Sequence, residues 1–127
     1  MALIRIRRQI MRKVNEVAGN FLDCWQKQDW DKMKDWTQFS WVKICPSPVV
    51  KLQKIFEHLK LKSYEVKKEK QISETCCDIV TKVSCRTLRR HFVTETVILR
   101  VVCEAGYMKP DINGTWGVNP HSLFRKN

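Results

Sequence analysis

The hydrophobic pattern of this chain changes period once, just after Leu61. Before that point apolar residues recur every three or four positions, and after it they recur every second position. The first period suits a helix with one buried face, the second a strand with one buried face. A chain that places helices first and strands second does not follow the alternating order of a parallel sheet. The pattern predicts an α+β domain with three N-terminal helices packed on an antiparallel sheet.

The first predicted helix spans about residues 3–26. Ile10, Val14, Val17, Phe21 and Trp25 form one row, flanked by Met11, Ala18 and Leu22. Two adjacent rows make a stripe wide enough to lie on a sheet. A short second helix follows at about 29–37, with Asp29 as N-cap and Trp30, Met33 and Trp36 or Thr37 on one face. Trp41 and Val42 carry the apolar run into the connection. A third helix starts at Ser47-Pro48, a favoured cap and first-turn pair, and buries Val49, Leu52, Ile55, Phe56 and Leu59.

Strands are predicted at about 62–71, 75–88, 91–104 and 115–118. The first puts Tyr64 and Val66 on one face. The second alternates Cys77, Ile79, Thr81, Val83 and Cys85 against Cys76, Asp78, Val80, Lys82, Ser84 and Arg86. The third alternates Val93, Glu95, Val97, Leu99, Val101 and Cys103 against Thr94, Thr96, Ile98, Arg100 and Val102. Gly106 and Pro110-Asp111-Ile112-Asn113-Gly114 supply turns.

With 127 residues, 43% of them hydrophobic, the chain fits one domain over residues 1–127 with one core. The six cysteines (Cys24, Cys45, Cys76, Cys77, Cys85 and Cys103) sit mostly in apolar company. They read as reduced thiols, and the protein as cytoplasmic. The charged start, Arg5-Ile6-Arg7-Arg8, does not resemble a secretory signal, and no apolar run is long enough to span a membrane.

The long first helix, the Gln28-Asp29-Trp30-Asp31-Lys32-Met33 start of a short helix, a third helix, long strands and the closing Trp116-Gly117-Val118-Asn119-Pro120 together resemble the nuclear-transport-factor-2-like (cystatin-like) superfamily. The closing run is similar to that of small bacterial and phage members. The resemblance implies a strongly curved sheet wrapped with the helices into a cone, and dimerisation through the outer sheet face. The superfamily holds enzymes, binding proteins and scaffolds. Its enzymes place an Asp with a Tyr, or an Asp with a His, inside the cone, and no such pair aligns onto this chain.

The search for chemistry excludes more than it finds. There is no C-x-x-C pair, and His58, His91 and His121 lie far from one another and from any cysteine, so no metal site is expected. Glycine-rich phosphate motifs and nucleophile elbows are absent, and no cofactor is expected. Glu95 is the single carboxylate whose alternation places it on the interior face; either it is a pocket acid or the register breaks near the strand's start and leaves it in solvent. Five tryptophans are either core or the lining of an apolar pocket. The candidate pocket residues are Trp25, Trp41, Tyr64, Glu95 and Trp116, and the candidate ligand is small and apolar.

The net charge is +11, from 24 Lys and Arg against 13 Asp and Glu. It reads either as a solubilising surface or as attraction to an anionic partner. Arg5, Arg7, Arg8 and Arg12 crowd the N-terminus, Lys60, Lys62, Lys67, Lys68 and Lys70 follow the third helix, and Lys82, Arg86 and Arg100 share the outer sheet face. The candidate basic patch is Arg5, Arg7, Arg8, Arg12, Lys82, Arg86 and Arg100. Because the aromatic residues read as buried, a nucleic acid would meet charge without a stacking surface. Val80, Ile98 and Val102, apolar on that outer face, predict a homodimer. Three functions follow in order: a non-enzymatic pocket or partner-binding module, a charge-driven nucleic-acid-binding accessory protein, and an enzyme using Glu95.

Overall fold

The computed structural model describes residues 2–124. Helix α1 (Ala2–Lys27) is followed by α2 (Trp30–Asp35), α3 (Phe39–Ile44) and α4 (Pro48–Phe56). Strands β1 (Leu59–Ser73), β2 (Cys76–Thr87), β3 (Phe92–Gly106), β4 (Lys109–Pro110) and β5 (Thr115–Asn119) form one antiparallel sheet, closed by a 3-10 turn over Pro120–Phe124. The α+β order is as the change of period requires.

The wide stripe of α1 lies across the inner sheet face. Val14, Val17, Phe21, Leu22 and Trp25 are buried there with Cys77, Ile79, Val83, Cys85, Leu99 and Val101 from the strands. The alternation on β2 and β3 is therefore borne out from Cys77 to Cys85 and from Val97 to Cys103. Strand β1 departs from simple alternation. Its pairing with β2 slips at three places, leaving Lys62, Lys67 and Ile72 as extra residues. Each bulge bends the strand and adds right-handed twist, which curls β1 over α1. The slips also reset the inward set to Leu61, Tyr64, Val66, Glu69 and Gln71, each opposite an inward residue of β2.

Four helices stand where three were expected. The extra one, α3, has no side-chain hydrogen bond at its Gln38 cap. It is held from a distance: the buried Glu104 carboxylate of β3 accepts from the Ser40 amide at 3.1 Å and from the Ser40 hydroxyl at 2.6 Å. The Ser40 oxygen in turn accepts from the Met108 amide at 2.7 Å. Helix α2 is also shorter than its sequence pattern. The chain leaves it at Trp36 because Val118 of β5 takes over the backbone: Val118 N–H donates to Trp36 at 2.8 Å, and Gln38 N–H donates to Val118 at 2.9 Å. Asp29 does cap α2, accepting from the Lys32 amide at 3.2 Å.

Candidate functional site

The cone opens at the end where β1 and β3 begin. Trp25, in the last turns of α1, is fixed there by its indole N–H, which donates to the Leu59 carbonyl at 2.9 Å. Its ring lies 5.0 Å from Phe56 and 6.3 Å from Phe124, and Phe56 lies 5.5 Å from Phe124. Beside this aromatic cluster is a cavity of about 190 Å³, walled by Trp25, Leu59, Val83, Cys85, Val93, Val97, Phe124 and Glu95. Phe124, 41% exposed, forms its outer rim.

The structure brings together two of the five candidate pocket residues, Trp25 and Glu95. Trp41 is half-buried and stands 6.0 Å from the His121 ring, away from the cavity. Trp116 is buried at the β3–β5 pairing, opposite Cys103. Tyr64 lies in the α1–β1 seam, where its hydroxyl donates to Asp23 at 2.8 Å. Burial first, and that bond second, push the Tyr64 phenol up to about 12, so it holds its proton as a structural donor. Glu95 keeps the inward register, opposite Val83, yet its side chain is exposed at the cavity mouth. Cys85, Leu59, Val93 and Phe124 carry no sequence signal that marks them as pocket residues. Apolar alternation near a strand start does not tell a wall from a core.

Two buried inward thiols, Cys85 in the wall and Cys77 further along β2, hold their protons. Burial, then the neighbouring Glu95 carboxylate, push the Cys85 thiol up to about 11, and burial does the same to Cys77. Both folded values exceed 9.0, so the folded state holds these protons more tightly than the unfolded chain. Their contribution to stability is complete below about pH 9 and is lost as pH climbs through about 11. Calorimetry across that window is expected to show a falling Tm. A Tm unchanged to about pH 11 contradicts the assignment.

The candidate basic patch divides in two. Arg5, Arg7, Arg8 and Arg12 are exposed on the first turns of α1, where Arg7 faces Gln71, Ser73 and Glu74. Gln26, at the other end of that helix, bonds the Lys62 carbonyl at 2.8 Å. The nineteen helical steps from Arg7 to Gln26 separate the two ends by about 28 Å at 1.5 Å per residue. Lys82, Arg86 and Arg100 do share the outer face, but Arg100 is not free. Its guanidinium holds the Asp78 carboxylate with two bonds, at 2.8 and 3.0 Å, across the β2–β3 pair. No group of three or more metal-binding side chains occurs among the described residues.

No family model matches the sequence, and no curated protein does. Solved structures do match. A ketosteroid isomerase-like protein from Erwinia carotovora atroseptica SCRI1043 superposes with a TM-score of 0.54, over 84% of this chain and 88% of that one, at 11% identity. This chain has the nuclear-transport-factor-2-like fold. At that identity the likeness speaks for the fold and not for the chemistry. In the NTF2-like cone seen here, the aromatic end of α1 and the starts of β1 and β3 form the open mouth. No helix among the described residues is long and apolar enough to cross a membrane.

Proposed function

We propose that the NTF2-like cone binds a small apolar ligand without transforming it. The observation that carries this reading is the mouth cavity of about 190 Å³, whose walls are apolar except for the single rim carboxylate of Glu95. An apolar cavity of roughly 150 Å³ is large enough to take up benzene, so the expected ligand is about one ring in size. Catalysis by general acid and base needs a carboxylate or imidazole held away from water against the reacting atom. Glu95 is exposed, and Tyr64 and Asp23 satisfy each other outside the cavity. The test is a thermal-melt titration with toluene, which should raise Tm in a saturable way. No rise up to the solubility limit removes the reading.

The ligand-binding unit is proposed to be a homodimer. Val80 and Ile98 pair across β2 and β3 and line a shallow groove of about 230 Å³ on the outer sheet face, beside the Asp78–Arg100 pair. Apolar side chains on a face that no helix covers gain by pairing with a second copy. Sedimentation at micromolar concentration should give twice the 15.1 kDa chain mass, and Ile98→Lys should return it to one. A wild-type mass of one chain ends the proposal.

A further inference from the structure

A second surface lies on the outer sheet face beside the β2–β3 turn. The strand register sets Lys60 of β1 opposite Arg86 of β2, and Arg86 opposite Phe92 of β3. Like charges directly opposite one another destabilise a sheet, so the fold carries this pair at a cost. Lys62, the extra residue of the first β1 bulge, joins them. Its ammonium is made less basic chiefly by Arg86, then by burial and by Lys60. None of the ion pairs among the described residues includes these three cations. The nearest acid on this face is Glu65, two rows along and bound to Lys67 at 3.1 Å; Asp78 lies two rows further and is held by Arg100, and Glu95 belongs to the inner face.

The turn adds to the same corner. Arg89 and Arg90 are exposed, and Arg90 holds φ at 65°. That left-handed conformation costs a side-chain-bearing residue about 1–2 kcal/mol at a hairpin position where glycine is usual. Phe92 is 74% exposed, a large ring left in water at the end of a cationic row. The next row is Ser63, Ser84 and Thr94, with the last two hydroxyls 3.3 Å apart. Cations, hydroxyls and one open ring on a sheet face form the combination that binds phosphates and stacks a base.

We propose that this corner binds a single-stranded nucleic acid, with Lys60, Lys62 and Arg86 on the phosphates and Phe92 beneath a base. A membrane approached by the turn would meet Leu88, Arg89 and Arg90 first. Lys60, Arg86 and the hydroxyl row lie behind the turn on the sheet face, where an extended strand can cover them and a flat bilayer does not.

Anisotropy of fluorescein-labelled mixed-sequence 12-mers, RNA and DNA, tests the site at low and moderate salt. Wild type should bind at low salt. Lys60→Gln with Arg86→Gln should bind at least tenfold more weakly, and its salt slope should fall by about 1.4, at about 0.7 for each phosphate of a single strand that is no longer neutralised. Phe92→Ser should cost about tenfold, because the base no longer stacks. The Lys60/Arg86 variant should melt no lower than wild type, since it removes a repulsion. Arg7→Gln with Arg12→Gln removes the same charge at the far end of α1 and should leave affinity within about twofold. The proposal is overturned if neither oligonucleotide binds at low salt or if the far-end variant loses as much affinity. It is also overturned if vesicles with 30% phosphatidylserine sediment the protein while both 12-mers fail to bind.

Discussion

Val93→Trp is expected to abolish the toluene-dependent rise in melting temperature. Val93 is half-buried on β3 at the cavity mouth, opposite Cys85. An indole there, reaching toward Trp25 and Phe124, occupies the volume that one ring would fill. At tenfold the Kd, ligand linkage stabilises the wild-type fold by about 1.4 kcal/mol, a shift of roughly 5 °C for a chain of this size. The variant should shift by less than about 1 °C while melting near wild type without ligand, because the site is at the rim and has room. An undiminished shift would mean that toluene binds elsewhere. The groove beside Val80 and Ile98 is the place to look next.

The second large effect is structural and concerns the closing strand. Gly117→Ala is expected to destabilise the fold by about 3 kcal/mol, near the upper end of what overpacking costs. A Cβ at that position would lie 2.6 Å from the Thr37 carbonyl carbon and oxygen and from the Gln38 nitrogen. These are backbone atoms, and they cannot retreat, because Trp36 and Gln38 are both hydrogen-bonded to Val118. Gly19→Ala is the matched contrast. In α1 its added Cβ meets only the Tyr64 hydroxyl, at an ordinary 3.8 Å. Removing a helix-interior glycine should then stabilise by about 0.5–1 kcal/mol. Denaturant melts of the two variants should move in opposite directions, and equal losses would refute the close-approach account of Gly117.

The two surfaces differ in how far sequence could reach them. The inner face of β2 is legible because five inward residues alternate without a break between Cys77 and Cys85. On β1 the same reasoning stops at the first bulge. Tyr64 and Val66 do share a face, but nothing local says that Lys62 is an extra residue, or that Lys60 therefore faces Arg86. For that reason the sequence offers a nucleic acid charge without an aromatic partner. Phe92 sits at a strand start with no sign of its exposure. Arg100 illustrates the opposite error. Its charge counts toward a patch until the register puts Asp78 directly across from it.

By itself the sequence determined the class of the fold, the course of α1 and α4, and the buried sides of β2 and β3. Those follow from side-chain periodicity, which is a property of adjacent residues and of water. Only the tertiary structure decided where α2 stops, that α3 forms, which tryptophan reaches the cavity, and which cations stand free. Each of these depends on a group distant in the chain: Val118 for Trp36 and Gln38, Glu104 for Ser40, Leu59 for Trp25, Asp78 for Arg100. A hydrogen bond or ion pair between residues roughly 20 to 80 positions apart leaves no period in the sequence, because either partner is an ordinary residue until the sheet brings the other to it.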